Sequence, residues 1–239
     1  MASRFHSTAR KIVAIGRNYS EHAKELQNAI PKEPFFFLKP TSSFVRTGGN
    51  IEIPNGVIAH HEVELGVVIG QTGRDISQND ALSHIAGYSL GIDMTARNIQ
   101  DVIKKKGLPW STLKGFDTFT PIGLIAGLST ILQPRRDFIP KDKVVDPHQL
   151  GLWLKADETI RQMGTTSDMI FRIPRLIQHV SSIMRLEEGD VLLTGTPSGV
   201  GPLSPGQTVT AGLTQGKEEL DRLELKVVQR QGGYVYQEE

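Results

Sequence analysis

The clearest pattern along the chain lies between residues 61 and 69, where polar or small residues alternate with strongly apolar ones until Gly70. In a β-strand, successive side chains point to opposite faces. Val63 and Leu65 therefore share one face, while Glu62 and Glu64 share the other. The pattern predicts a strand with one apolar face and with two carboxylates side by side on the opposite face.

Other short apolar runs, several of them bounded by Gly or Pro, predict further strands. These runs cover residues 11–15, 35–38, 51–53, 85–93, 191–194, 207–213 and 222–229, and a hairpin is predicted over 151–163. Helical patterns are fewer, at residues 21–28, 95–106 and about 168–185. Residues 127–148 contain three prolines among charges and predict a surface loop. We therefore expect an α+β fold with a rolled, mixed β-sheet and a few peripheral helices.

The composition narrows the class of protein. The 239 residues suit one substantial core, and the 27 Lys and Arg residues balance 26 Asp and Glu residues. This balance, without a basic stripe, gives no sign of nucleic-acid binding. The chain has no cysteine, which excludes disulfides, thiolate metal sites and a cysteine nucleophile. No apolar run reaches the length of a membrane span, so we expect a soluble protein.

Residues 1–10 form a separate case because they are basic, rich in hydroxyl groups and free of acids. Such a composition is typical of a mitochondrial presequence, although this segment is short. A frayed, solvated terminus explains it equally well. We divide the chain into this N-terminal segment and a single domain at 11–239, and expect a mitochondrial location or otherwise a cytoplasmic one.

Three acids stand out as candidate metal ligands. A pair such as Glu62 and Glu64 on a strand is usually a solvated face, but this strand is otherwise strongly apolar. Desolvating unpaired carboxylates costs several kcal/mol each, so a cation is expected nearby. Asp93 closes the apolar run 85–92 and completes an all-oxygen set suited to a hard divalent ion. His60 and His61 leave zinc as a lesser alternative.

An ordered set of segments resembles the fumarylacetoacetate hydrolase superfamily over nearly the whole chain. The segments are 61–66 (HEVELG), 91–100 (GIDMTARNIQ), 104–110 (KKKGLPW), 114–117 (KGFD) and 193–202 (LTGTPSGVGP). Residues 16–19 (GRNY) and 36–40 (FFLKP), with His22 and Glu25, resemble its short, single-domain acylpyruvase and oxaloacetate-processing branch. The chain departs from that branch in a longer loop around 127–138 and in Asn98, where an acid is expected.

The resemblance implies that Glu62, Glu64 and Asp93 bind Mg²⁺ or Mn²⁺. It also implies a small 2-oxo acid substrate and a C–C bond cleavage, either acylpyruvate hydrolysis or oxaloacetate decarboxylation, through a metal-bound enolate. The alternative is an oxaloacetate keto–enol tautomerase using the same site. A homodimer is implied by the resemblance alone. Two other hypotheses are a catalytically idle oxo-acid or metal-binding protein and a sheet protein whose acids are surface charge.

Catalytic roles follow from the same resemblance. His22 and Glu25 are three residues apart, so on a helix they share a face, and Glu25 could orient the imidazole that activates water. An ordinary His–Glu pair on the surface of a helix would show the same spacing. Lys114 is the implied cation beside the developing oxyanion, although most lysines before a loop are simply exposed. The segment from Tyr19 to about Pro34 is a candidate lid.

The remaining candidates are substrate-binding residues. Gln100 lies two helical turns after Asp93 and could hold water or substrate. Arg17 and Arg97 are candidates for the substrate carboxylate, which a guanidinium binds in bidentate fashion, or they are structural ion-pair partners. Thr196, in a Gly/Pro-rich loop that could equally be a mere turn, could hold the same anion.

Overall fold

The computed structural model describes residues 5–25, 31–123 and 138–238, without the side chains of residues 22–24. The α-helices described are α1 (Phe5–Thr8), α2 (Ser20–Glu25), α3 (Arg97–Lys106), α4 (Ser111–Lys114) and α5 (Ile173–Ile183). The strands of the first half are β1 (Ile12–Gly16), β2 (Phe35–Lys39), β3 (Phe44–Arg46), β4 (Asn50–Ile53), β5 (Ala59–His61), β6 (Val63–Ile69), β7 (Ile85–Ile92), β8 (Thr95–Ala96) and β9 (Thr120–Ile122). Those of the second half are β10 (Ile139–Pro140), β11 (Gly151–Ala156), β12 (Thr159–Thr165), β13 (Val191–Leu193), β14 (Gly201–Pro202), β15 (Thr208–Gln215) and β16 (Glu218–Gln229).

Three sheets, of which the two larger ones are mixed, are formed by the strands in the described part of the chain. The largest has the order β2-β1-β13-β6-β7-β9-β3, with β10 paired to β7. A five-stranded sheet has the order β12-β11-β15-β16-β4, and a small sheet joins β14, β5 and β8. The pairs β1–β13, β3–β9 and β16–β4 are parallel and the other pairs are antiparallel. The predicted α+β class, with mixed sheets and few helices, is confirmed.

The strand predicted over residues 61–69 is present as two pieces, β5 and β6, interrupted at Glu62. Every residue of β6 is buried. Val63, Leu65 and Val67 belong to the main core between the sheets, whereas Val68 packs into a smaller cluster on the opposite side. The predicted division of the strand into two faces is therefore confirmed.

Most other predicted elements are present with shifted ends. Thr95 does not open helix α3 but lies in β8, where it pairs with His60, and the helix begins two residues later. The helix predicted from about residue 168 also begins later, because Ser167 and Asp168 belong to a separate 3₁₀ turn and α5 begins at Ile173. The prediction of a surface loop at 127–148 lies partly outside the described residues, at 127–137. The predicted helix over 21–28 likewise lies outside them from residue 26 onward.

The N-terminal residues that are described form α1, and its Phe5 is fully buried against Phe44, with the ring centroids 5.9 Å apart. The division of the chain at residues 10 and 11 stays a prediction. Among the described residues, no helix combines the length and apolarity that a membrane crossing requires.

A buried carboxylate joins the five-stranded sheet to the large one. Asp221 of β16 accepts a hydrogen bond from the backbone N–H of Leu90 in β7, at 3.1 Å, and one from Arg222, at 2.9 Å. Its burial raises the pKa of Asp221 to about 6, although the two backbone donors oppose the shift. Because β7 leads to Asp93, this contact fixes the sheet beneath the candidate site.

We expect this carboxylate to make stability depend on pH. The pKa of Asp221 in the fold lies above its unfolded value of about 4, so the folded state binds the proton more tightly. The free energy of unfolding should then fall by about 3 kcal/mol as the pH rises through this range and past about 6. Urea denaturation of the protein and of Asp221→Asn, across pH 4 to 7.5 at about half-unit steps, measures the difference. Identical pH slopes for both proteins would contradict the assignment.

Candidate metal centre and active site

The three acids converge although they come from different strands. β6 and β7 pair directly, with Glu64 opposite Gly91, and the backbone N–H of Asp93 donates to the carbonyl of Glu62 at 2.8 Å. One carboxylate oxygen from each of Glu62, Glu64 and Asp93 lies within 4.8 Å of the others, and all three residues are buried. The pairing of the sheet therefore holds the candidate ligands in place.

Two buried lysines lie against these acids. The Nζ of Lys114 donates to Glu62 Oε2 at 3.0 Å and also to Asp93 Oδ2, and it lies 4.8 Å from the centroid of the Phe37 ring. Lys39 Nζ donates to Asp93 Oδ1 at 2.5 Å and to the carbonyl of Phe119 at 2.9 Å. Sequence analysis assigned no role to Lys39, although a lysine at the end of an apolar strand could have indicated one.

Burial and charge act differently on the two lysines. Burial would lower the pKa of Lys114, but the carboxylates of Asp93 and Glu62 outweigh it and leave the pKa raised. For Lys39, burial prevails over the attraction of Asp93, so its pKa is lowered. Lys114 is thus the cation that the site holds firmly.

Glu64 is the acid that is least stable in its charged form. Burial raises its pKa well above the ordinary value, and the carboxylates of Asp93 and Glu62 raise it further. Lys114 and the backbone N–H of Gly195, which donates to Glu64 Oε2 at 2.7 Å, oppose this shift only in part. A further positive charge between the three acids would lower the pKa of Glu64 and stabilise its charged form.

The second oxygen of Glu62 is held by two donors, the hydroxyl of Thr95 and the Nη2 of Arg97, both at 2.8 Å. Arg97 also donates through Nη1 to Gln100 Oε1, at 2.5 Å, and through Nε to His60 Nδ1. Because its oxygen is engaged, Gln100 presents its NH₂ group as the donor toward the cleft.

Asn98 occupies the position where the family resemblance led us to expect an acid. Its Oδ1 accepts from the backbone N–H of Ile58 at 3.1 Å, and its Nδ2 donates to the carbonyl of Gly56 at 2.9 Å. A carboxylate could not donate the second bond. The amide therefore fastens the first turn of α3, which carries Arg97, to the 55–58 turn.

Gln162 of β12 braces the site from the five-stranded sheet. Its Oε1 accepts from Val63 N at 3.0 Å and from His61 Nδ1 at 2.8 Å, and its Nε2 donates to Thr196 Oγ1 at 2.8 Å and to Pro197 O at 2.9 Å. The side chain is buried and its amide hydrogen-bonding capacity is fully used. Sequence reasoning missed it, because a glutamine on a hairpin strand carries no signal of such contacts.

Replacing Gln162 by leucine should lower the free energy of unfolding by about 3 kcal/mol, because several buried donors and acceptors lose their partners together. Urea denaturation with a constant m-value measures the change. Gln78→Ala provides the control, since Gln78 is exposed and bonds only Gln178 among the described residues, so its change should stay within about 0.5 kcal/mol. Equal effects for the two variants would show that Gln162 is not a brace.

The three acids line one cleft that is open to solvent. Four predicted substrate-binding residues and the predicted catalytic lysine line it, namely Arg17, Arg97, Gln100, Thr196 and Lys114. The cleft is completed by residues that the sequence had not assigned, among them Phe37, Lys104 and Trp110.

Thr196 reaches this cleft with its hydroxyl already engaged. The hydroxyl donates to Val63 O at 2.8 Å and accepts from Gln162. A role for Thr196 in holding substrate stays a prediction, and the donor available for it is the backbone rather than the side chain.

The predicted His22–Glu25 pair is described only in part. Both residues belong to α2, but the His22 side chain lies outside the described atoms. Both carboxylate oxygens of Glu25 accept from the backbone N–H of Gly199 at 3.2 Å, so α2 contacts the loop that carries Thr196. The catalytic role of the pair stays a prediction, as does the lid at 19–34, of which residues 26–30 are not described.

The donor set fits a hard divalent cation. Three carboxylates supply only oxygen ligands, and the pKa of Glu64 is raised by burial and then by repulsion from Asp93 and Glu62, both of which a bound cation would offset. His60 and His61 do not belong to the group of ligand atoms that lie within 4.8 Å of one another. This argues against zinc.

Comparisons with known proteins agree with the site. The family model described as "Fumarylacetoacetate (FAA) hydrolase C-terminal" matches residues 11–228. A mitochondrial oxaloacetate decarboxylase of Dictyostelium discoideum is 54% identical over 214 residues, covering 89% of this chain and 92% of that protein. The mitochondrial oxaloacetate tautomerase FAHD1 of Arabidopsis thaliana is 53% identical over 215 residues, covering 90% and 91%. A crystal structure of a yeast protein of the same family superposes with a TM-score of 0.84 at 35% identity, covering 99% of this chain and 100% of that one.

Proposed function

Because this chain belongs to the fumarylacetoacetate hydrolase family and is an enzyme, we propose that it cleaves a C–C bond of small 2-oxo acids with the help of a divalent metal ion. Acylpyruvate hydrolysis and oxaloacetate decarboxylation are the two reactions that suit the site. The observation that carries the proposal is the convergence of Glu62, Glu64 and Asp93 at the floor of one cleft, beside the buried cation of Lys114.

Glu62, Glu64 and Asp93 would hold Mg²⁺ or Mn²⁺, since both ions prefer oxygen ligands. When bound, such an ion supplies Lewis acidity that polarises the 2-oxo group of the substrate. The protein contributes a dry site, because the three ligand residues are at most 7% exposed. Electrostatic stabilisation is stronger in such an environment than in water.

The cations and the amide of the cleft act on the substrate itself. Lys114 carries a firmly held positive charge and would donate a proton or a hydrogen bond to the oxygen on which negative charge develops. Gln100 presents its NH₂ group, and Arg97 keeps it oriented. These two residues would hold the carboxylate next to the 2-oxo group.

Hydrolysis also requires a water molecule activated by a base. His22 would take the proton from this water, and Glu25 would orient the imidazole. The bond from Gly199 N–H to Glu25 supports this proposal, because it fastens α2 against the rim of the same cleft.

A second candidate is an oxaloacetate keto–enol tautomerase, which is favoured by the name of the Arabidopsis relative at 53% identity. Tautomerisation needs a proton transfer but no attacking water. His22→Ala should therefore abolish acylpyruvate hydrolysis while part of the tautomerase activity survives. If His22→Ala loses both activities together, His22 does not distinguish hydrolysis from tautomerisation.

We further propose a mitochondrial location and a homodimer. The two relatives described above are named as mitochondrial, and the first ten residues are basic and acid-free.

Edge strand β12 exposes Ile160 and Met163, which suits association with a second copy. Light scattering on a size-exclusion column should give about twice the chain mass of 26.3 kDa, and the mass of a single chain would contradict the dimer.

The test of the proposed function is turnover of acetylpyruvate and oxaloacetate side by side, followed as pyruvate release and as ultraviolet absorbance of the enol. Mg²⁺ should support turnover, EDTA should abolish it, and added Mn²⁺ should restore it. Full activity in EDTA, or no turnover of either substrate with either ion, would refute the proposal.

A further inference from the structure

The positive charges around the cleft fall into two groups. Lys114, Lys39 and Arg97 each form an ion pair with Glu62 or Asp93. The side chains of Arg17 and Lys104 line the same cleft but form no hydrogen bond or ion pair with any described residue. The cleft therefore has two cations without an ion-pair partner within the described ranges, although the carboxylates of Asp101 and Glu62 act on Lys104 from beyond ion-pair distance.

These two cations lie near each other and near Arg97. The pKa of Lys104 is lowered, first by partial burial and then by the charges of Arg97 and Arg17. Lys104 lies four residues after Gln100 on α3, which is about 6 Å along the helix axis. The backbone of Lys104 is thus displaced from that of Gln100 by a distance on the scale of a four-carbon acid.

Arg17 also adopts a backbone conformation that an arginine rarely has. Its φ is +59°, in the left-handed region, where a residue with a Cβ atom costs about 1–2 kcal/mol relative to the usual conformation. Strain of this kind persists where the surrounding structure or a function maintains it. A glycine would remove the strain, but it would also remove the guanidinium from the cleft.

We propose that Arg17 and Lys104 bind a second carboxylate of the substrate, at the end remote from the 2-oxo acid group, so that the enzyme selects dicarboxylic 2-oxo acids over analogues with a neutral tail. This inference rests on the proposed function. The inference also assigns different carboxylates to the two arginines, which the sequence analysis had considered as candidates for the same carboxylate. Arg97, fixed to Glu62 and Gln100, serves the carboxylate at the floor, whereas Arg17 serves the one at the rim.

Two nearly isosteric substrates test the inference. Oxaloacetate ends in a carboxylate where acetylpyruvate ends in a neutral methyl ketone. Lys104→Met and Arg17→Gly should each raise KM for oxaloacetate about tenfold, the effect of one charge-assisted hydrogen bond, and leave KM for acetylpyruvate within about twofold. Arg17→Gly suits the positive φ, so loss of folding is not expected. Lys105→Met is the matched control on α3, because Lys105 faces a different groove, and it should change neither KM.

Calorimetric titration adds a readout that does not need turnover. The probes are 2-hydroxysuccinate and 2-hydroxybutanoate, which share a four-carbon skeleton and differ in the remote carboxylate, each titrated in the presence of Mg²⁺. The unsubstituted enzyme should bind 2-hydroxysuccinate about 10- to 100-fold more tightly, and each variant should lose at least tenfold of that preference. An enzyme that binds both probes equally, or variants that weaken both equally, would overturn the inference. Retained discrimination without turnover of any oxo acid would instead refute the proposed function and leave this subsite standing.

Discussion

Glu64→Gln should lower kcat/KM for acetylpyruvate and oxaloacetate by about 10³-fold or more and abolish measurable Mg²⁺ binding. Glutamine keeps the shape of the side chain but removes one of the three ligand charges, and metal stabilisation of a developing charge is worth several kcal/mol. Initial rates and calorimetric titration with Mg²⁺ measure the two effects. Because burial already raises the pKa of Glu64, the neutral amide should not lower the thermal midpoint.

The control for this variant is Glu158→Gln, in the exposed turn between β11 and β12, which should leave both quantities unchanged. If Glu64→Gln binds Mg²⁺ with unchanged affinity, the ion does not lie between the three acids, and the proposed function loses the observation that supports it.

Lys114→Met should lower kcat by about 10²- to 10³-fold while Mg²⁺ binds at least as tightly as before. The loss of rate follows from removing a preorganised cation at the developing oxyanion. The retained affinity follows from the ion pairs, because Lys114 Nζ occupies Glu62 Oε2 and Asp93 Oδ2 and competes with the metal for both. Steady-state kinetics at saturating Mg²⁺ and calorimetric titration separate these two effects.

Lys226→Met, which changes an exposed lysine of β16, controls for a general effect of charge. A weakened Mg²⁺ affinity in Lys114→Met would mean that the lysine shapes the ligand set rather than competing for it. A kcat within about twofold of the parent enzyme would remove Lys114 from the catalytic residues.

The cluster of three acids at the floor of the cleft could be predicted from the sequence because local rules determine most of it. The two-residue repeat of a strand places Glu62 and Glu64 on one face, and an acid that closes an apolar run marks a strand end, as Asp93 does. The sequence does not determine by itself that these two strands are neighbours. The family resemblance supplied that step, and the direct pairing of β6 with β7 confirms it.

The residues that sequence reasoning missed act through contacts between distant parts of the chain. Gln162 reaches His61 across 101 positions and Thr196 across 34, and nothing in the local pattern of β12 marks an inward-facing amide. Lys104 was read only as part of a helix end. The role proposed for Lys104 depends on its forming no ion pair with a carboxylate in the described part of the chain. A single sequence cannot reveal which side chains pair in space.

The floor and the rim of the cleft are built from different kinds of structure, and this has an evolutionary consequence. The acids are fixed by paired strands and by the brace from Gln162, whereas Arg17 follows a strand in a loop and Lys104 lies near the end of a helix. Mutations at the rim can therefore accumulate without disturbing the ligand geometry at the floor. We therefore expect lineages that share this fold to acquire new substrate preferences through a few exchanges, with the cluster of three acids inherited intact.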